Sequence, residues 1–404
     1  MKRIALVVPG FEEDGGVPAV ARFLAHVLRE SGRYEPSFIS LPMSSKDPSS
    51  LRLLSPSSWL RGLRCEQSEW RGETFTHVGA FVSEFEFQRY RPRRALTELM
   101  ASFDLVQIVA GAPAWGWIAR DLTIPTGMQV ATLVATERLG LPSVGDPASR
   151  GWRSLMTRVT TRLESCGLAC VDAVFVENEW MNDFLRSSIG SERVIFAPPG
   201  VDTKLFCPAE EAPPVEAPGV IICVGRLGDP RKRVDLLFDA YARLSDRLED
   251  PPRLLLAGFS APSEANWVKA RTLGVAERIE FRADVSRQEL VDLYRSASIF
   301  VLSSDEEGLG IVIVEAMACG LPVVSTDCGG PSTSIVHGET GMLVPCDHAE
   351  ALASAMHTLM IDPEKRARMS RRARTRAVEV FSLEACARPF LDWYDRALAD
   401  PIAS

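Results

Sequence analysis

The stretch IFVLSSDEEGLGIVIVEAMACGLPVV, running from Ile299 to Val324, decides the fold. Its first four residues are apolar and rich in β-branched side chains, the pattern of a buried strand, and the run breaks at Ser303 and Ser304. An acidic turn, Asp305-Glu306-Glu307, leads into Gly308-Leu309-Gly310. A helical run from Ile311 to Cys319 follows, stopped by Gly320 with Pro322 just beyond. A second strand is expected at once, over Pro322 to Ser325. The unit is strand, glycine-rich turn, helix and strand, with the turn aimed at the start of the helix. Unpaired N–H groups and the positive end of the helix dipole converge there, which suits an anion. Two carboxylates frame the turn, Glu307 inside it and Glu315 in the second helical turn.

Upstream, Val220 to Val224 reads as another buried strand and ends in Gly225-Arg226-Leu227-Gly228-Asp229-Pro230-Arg231-Lys232-Arg233. Arg226 and Lys232 bring two cations to one loop. The spacing of Glu307 and Glu315, the flanking EAMACGLPVV, the Gly-Arg-Leu…Lys segment and Pro199-Gly200-Val201-Asp202 with Phe206 together resemble retaining GT-B glycosyltransferases of family 4 (glycosyl transferases group 1). The resemblance is close from about Val194 to Val344 and looser before. It implies an α/β protein of two Rossmann-like domains facing across a cleft, with a C-terminal helix crossing back to the first. It also implies transfer of a sugar from a nucleotide-diphosphate donor with retention at the anomeric carbon.

The same resemblance assigns roles. Glu307 would bind donor-sugar hydroxyls and orient the anomeric carbon, without acting as a covalent nucleophile. Arg226 and Lys232 would clamp the diphosphate and stabilise charge on the leaving group. Gly308, Leu309, Gly310 and Ile311 would receive the phosphates, Glu315 the ribose, and Val285 the base. Thr326 to Ser334, TDCGGPSTS, resembles a glycine turn facing the donor sugar. No Asp-x-Asp pair occurs in the chain, so a divalent metal ion chelated by that motif is not expected, and the resemblance implies no cofactor.

At 404 residues, with 46% apolar and 24% charged residues, the chain suits two domains with full cores. The expected division is 1–206 on the acceptor side, a Pro- and Glu-rich linker over 207–219, a nucleotide-sugar domain over 220–382, and 383–404 packing back on the first domain. A net charge of −8, carried almost wholly by the second half, argues against nucleic acid. The apolar run after Met1-Lys2-Arg3 is too short for a signal peptide or membrane span, so a cytoplasmic protein is expected. The nine cysteines contain no Cys-x-x-Cys pair and suggest neither a disulfide frame nor a zinc site.

The first half repeats the strand, turn and helix pattern. Lys2 to Val8 reads as a central strand, and Asp14-Gly15-Gly16 opens a helix from Val17 to Glu30. In the resembling family Gly15 and Gly16 let the backbone approach the donor and acceptor; an ordinary βα turn is the alternative. Tyr34 to Leu41 is a second strand, whereas residues 42–80 have no clear period. The basic run Arg89 to Arg94 precedes a helix through Met100, as a solvated helix start or as a contact for an anionic acceptor. Asp104 to Ala110 is a strand, with Trp115 and Trp117 just beyond its end as sugar-stacking walls or as helix-start packing.

Met128 to Val134 is the next expected strand. Many relatives place a histidine where it ends; this alignment puts Val134 there, with Glu137 and Arg138 as polar neighbours able to substitute. That departure keeps open a nucleotide-sugar-binding relative without turnover, beside an epimerase or phosphorylase of the same architecture. The acceptor is expected to be a glycan, a lipid-linked sugar or a small molecule. The arginine-bearing helix over 150–170 admits peripheral membrane contact.

Overall fold

A computed structural model describes residues 1–12, 15–139, 147–210 and 219–399. These form two compact units, one from the described residues of 1–139, 147–199 and 386–399, the other from those of 200–385. Most of the expected linker, 207–219, lies outside the described residues, as does Asp14.

The first unit is built on an eight-stranded sheet. Its strands are β1 (Lys2–Pro9), β2 (Tyr34–Leu41), β3 (Cys65–Trp70), β4 (Glu73–Val78), β5 (Leu105–Val109), β6 (Thr126–Val130), β7 (Ala173–Val176) and β8 (Val194–Phe196). They lie in the order β3-β4-β2-β1-β5-β6-β7-β8. Every neighbouring pair is parallel except β3 with β4. Continuous apolar sequence marks the strands covered on both faces. On one face, Val7, Ile39, Val106, Ile108 and Val174 pack against Leu96, Met100, Ile118 and Leu185. On the other, the last helix, Leu383–Ala399, sets Phe390 flat on Phe175 at 4.6 Å and edge-on to Phe23 at 6.2 Å. Tyr394 in the same helix donates to Gln107 Oε1 at 3.0 Å, satisfying two buried polar groups at once.

The second unit holds a wholly parallel six-stranded sheet of β9 (Val220–Val224), β10 (Arg253–Gly258), β11 (Ile279–Ala283), β12 (Ile299–Leu302), β13 (Val323–Thr326) and β14 (Gly341–Val344). The order is β11-β10-β9-β12-β13-β14. Chain order reverses between β9 and β12 here, and between β1 and β5 in the first unit. Loops leaving adjacent strands diverge at such points and open a crevice at the carboxyl edge of the sheet.

One expectation is corrected. The strand expected through Val134 stops at Val130, because Ala131 and Thr132 both donate to Gly111 O, and Val134 instead begins the helix Val134–Leu139. Further along, the chain forms two helices, Ala349–Ile361 and Pro363–Phe381. Asp362 caps the second by accepting from Lys365 N at 2.8 Å, and Pro363 has no N–H with which to continue the first. The stretch without a clear period holds the helix Pro56–Arg61 and the β3–β4 hairpin.

The Phe175–Phe390 stack fixes the last helix to the first unit, and Phe390 is completely buried. Replacing Phe390 with Ala should destabilise that unit by about 3–5 kcal/mol, seen as an earlier transition in urea unfolding monitored at its aromatic residues.

Candidate active site

In the second unit, the loops after β9 and β12 are joined by three ion pairs between consecutive runs. Arg233 binds Asp305 at 3.0 Å, Arg231 binds Glu306 at 3.0 Å, and Lys232 Nζ meets Glu307 Oε1 at 2.5 Å. The three basic residues belong to the turn after β9, which Asp229 starts by accepting from Arg231 N. Arg233 sits there at φ +47° and also binds Asp235 and Asp347. Main-chain links complete the join. Asp305 N donates to Arg231 O at 2.8 Å, and Ser303 Oγ donates to the carbonyls of Lys232 and Arg233.

Lys232 and Glu307 are shielded, their side chains 15% and 11% exposed. The Glu307 carboxylate also accepts from Ser304 Oγ at 2.8 Å. Its main chain bridges to Gly329, and its carbonyl accepts from Gly330 N at 3.2 Å. A Cβ on Gly330 would lie 2.4 Å from Gly308 O, so only glycine permits this approach. The turn expected at Thr326 to Ser334 thus packs against the backbone of Glu307.

Gly310 precedes the helix Ile311–Ala318 at φ +76°, a left-handed conformation that favours glycine. Leu309 is buried and Ile311 half-buried beside it. Glu315 lies further along the helix, where Tyr294 Oη donates to its Oε2 at 3.2 Å. Burial pushes the Glu315 carboxyl up to about 7. Arg226 stands 48% exposed after β9, 3.7 Å from Asp229. Val285 is half-buried between β11 and the capping box formed by Ser286 and Glu289. Among the described residues, no cluster of three or more His, Cys, Asp or Glu is arranged to hold a metal ion.

Sequence inspection singled out Arg226, Lys232, Glu307 and Glu315 but missed Arg231, Arg233, Asp305, Glu306, Ser304, Gly330 and Tyr294. The missed signal was the matching length of two oppositely charged tripeptides, each following a strand.

In the first unit the candidates stand on three segments past the ends of β1, β5 and β6. Gly15 caps and Gly16 begins the helix Gly16–Glu30. Trp115 is only 5% exposed and meets Tyr90 edge-on at 4.5 Å, which is core packing. Trp117 is half-buried with the Arg91 guanidinium 6.0 Å over its ring. Arg138 binds Glu86 and donates to Thr157 Oγ1 at 2.9 Å, while Glu137 N donates to Leu133 O. Val134, the position that the resemblance aligns with a histidine, is buried and donates its N–H to Glu164 Oε1 at 2.8 Å. From the basic run, Arg93 is buried and donates to the carbonyls of Val78, Arg89 and Arg91, and Arg89 donates to those of Ser83 and Met43. These two guanidiniums are thus structural bonds.

Residues 209–376 match the family described as glycosyl transferases group 1. The Corynebacterium glutamicum D-inositol 3-phosphate glycosyltransferase is 31% identical over 302 residues, 70% of each chain. The enzyme of the same name from Kribbella flavida is 37% identical over 189 residues, covering 43% of this chain and 44% of its own length. Sucrose-phosphate synthase from Thermosynechococcus elongatus superimposes with a TM-score of 0.74 at 22% identity, over 99% of this chain and 100% of that one. Anabaena HepE, solved with UDP and glucose, gives 0.72 at 16% identity over 98% and 100%. Two parallel-sheet domains with these neighbours define the GT-B glycosyltransferase fold. The chain belongs to the glycosyl transferases group 1 family.

Glu164 and Glu177 in the first unit are, like Glu315, pushed up to about 7 by burial from an ordinary 4.5. A raised carboxyl favours the folded state fully only below its unfolded value, so stability should fall as pH rises from about 4.5 through 7. Replacing Glu177 with Gln keeps an oxygen for the Gln129 amide, which now donates to Glu177 Oε1 at 3.3 Å. The variant should gain on the order of 1–3 kcal/mol at pH 8 and little at pH 4.5, measured by urea unfolding at both values.

Proposed function

We propose that this protein is a retaining glycosyltransferase that moves a sugar from a nucleotide-diphosphate donor to a hydroxyl-bearing acceptor, without a metal. The observation that carries this reading is the shielded Lys232–Glu307 pair beside the left-handed turn at Gly310. Cleavage of the bond between sugar and diphosphate leaves a polyanion, which needs fixed positive charge and N–H donors. Lys232 supplies the charge at close range, Arg226 supplies a second and more mobile cation, and the start of the helix Ile311–Ala318 supplies donors. In the resting site Glu307 neutralises Lys232. On donor binding, Lys232 turns to phosphate while Glu307, still held by Ser304 and by its own backbone, accepts hydroxyls of the sugar. Glu315, on the same helix as the Gly310 turn, takes the ribose.

Relatives named for D-inositol 3-phosphate, and one named as a GDP-mannose-dependent phosphatidylinositol monomannoside mannosyltransferase, support a polyol or sugar acceptor. Among the described residues no helix is long and apolar enough to cross a membrane.

Lys232→Ala and Glu315→Ala should each weaken nucleotide binding about tenfold. Glu307→Ala should retain nucleotide affinity but lower kcat on the order of a hundredfold. Calorimetry with UDP, GDP, ADP and dTDP, followed by turnover of the matching sugars with and without EDTA, tests the assignment. Unchanged kinetics in all three variants, or loss of turnover in EDTA, would refute it.

A further inference from the structure

A chain of hydrogen bonds crosses the carboxyl edge of the first sheet and ends on a carboxylate that no role above uses. Ser40, near the end of β2, lies in register with Val8 of β1 and His77 of β4. Its Oγ donates to Glu12 Oε2 at 2.9 Å and lies 3.1 Å from His77 Nδ1. The other ring nitrogen, Nε2, is 2.9 Å from Asp47 Oδ1. Asp47 is in turn held through its second oxygen by Ser50 Oγ, which also accepts from Ala80 N. Ser40, His77 and Asp47 are all buried. Glu12 is 47% exposed, its free oxygen Oε1 4.0 Å from His77 Nδ1.

Serine, histidine and aspartate in sequence suggest a nucleophile, but Ser40 is wholly buried and its proton is directed at Glu12. No substrate reaches such a hydroxyl. The exposed terminus is what the chain presents. Its backbone is fixed as well, because Phe11 is stacked on Phe38 at 4.3 Å and meets Trp70 and Phe75 edge-on. Glu12 therefore projects from a rigid point on the loop after β1, the strand beside the order reversal, four residues before Gly16.

We propose that Glu12 binds an acceptor hydroxyl, with Ser40, His77 and Asp47 as positioning residues that aim its free oxygen. This deepens the function proposed above and rests on it. A carboxylate with one oxygen fixed and one free accepts hydrogen bonds from a hydroxyl of a polyol or sugar. It repels a phosphate, so an acceptor phosphate would lie away from Glu12. The Ser40 proton sets the aim. While it serves Glu12, the His77 ring, within hydrogen-bond reach of Ser40 on one side and Asp47 on the other, keeps the Ser40 side chain in place.

The test is transfer from the donor that binds best to D-inositol 3-phosphate, myo-inositol, methyl α-mannoside and methyl α-glucoside, using the full chain. For the best acceptor, Glu12→Ala should raise KM on the order of tenfold or more, with nucleotide affinity as in wild type. Ser40→Ala should raise it several-fold. Ser40→Ala should add nothing further in the Glu12→Ala background, since a residue acting through Glu12 has no second route. His77→Gln should behave as Ser40→Ala does. Wild-type transfer with an unchanged KM in Glu12→Ala would overturn this proposal alone. An equal Ser40 effect in both backgrounds would overturn the positioning role. Wild type inert toward the whole panel would overturn the transferase reading and this one with it.

Discussion

The pairing of Arg231-Lys232-Arg233 with Asp305-Glu306-Glu307 is the constraint on which the second unit's site depends. Two loops leaving neighbouring parallel strands have no ladder to hold them once the strands end. Here three charge pairs and three main-chain or serine hydrogen bonds do so. The outer pairs differ in kind from the middle one. Both arginines bind more than one carboxylate, Arg231 to Asp229 and Glu306 and Arg233 to three aspartates. Each is thus anchored from both sides, as a planar guanidinium with several donors allows. Lys232, a point charge on a flexible stem, sits between them and can exchange its partner without loosening the loops.

The same division gives Glu307 holds that do not depend on Lys232. A buried carboxylate stripped of its cation is costly, and a site in which Lys232 moves must offset that cost. Under the proposed mechanism, the Ser304 hydroxyl contact would leave the carboxylate a donor once the lysine turned to phosphate. The bridge to Gly329 and the Gly330 N–H fix its backbone independently of any charge.

Much of this was legible in the sequence. Parallel strands covered on both faces read as near-continuous apolar runs, so β1, β5, β9 and β12 stood out. The glycine stop at Gly320 is a local signal, and the helix Ile311–Ala318 ends just before it. What escaped was non-local. Arg233 and Asp305 are 72 positions apart, and nothing within either tripeptide names its partner. β3, CEQSEW, is a polar, largely exposed edge strand, so it has no apolar stripe to announce it. The basic run misled for the opposite reason. Arg93 looks solvated in sequence, yet in the interior it donates to three carbonyls, and burial holds its guanidinium down to about 10.

The glycines separate what the fold requires from what it does not. Gly310 has a left-handed backbone and Gly330 admits two carbonyls, so each is explained by the second unit's own geometry. A ligand need not be invoked for either. Gly16 is different. Its φ lies outside the left-handed region, and a Cβ there would meet nothing within 4 Å. It stands in the first turn of a helix, where alanine would be favoured by about 1 kcal/mol in an interior position. No contact among the described residues calls for glycine at this point. Gly16 is therefore a glycine whose presence the packing leaves open, and it shares with Glu12 the loop after β1. Backbone that a side chain would cover and a carboxylate that a buried serine directs are the two features of that loop left for a bound molecule to explain.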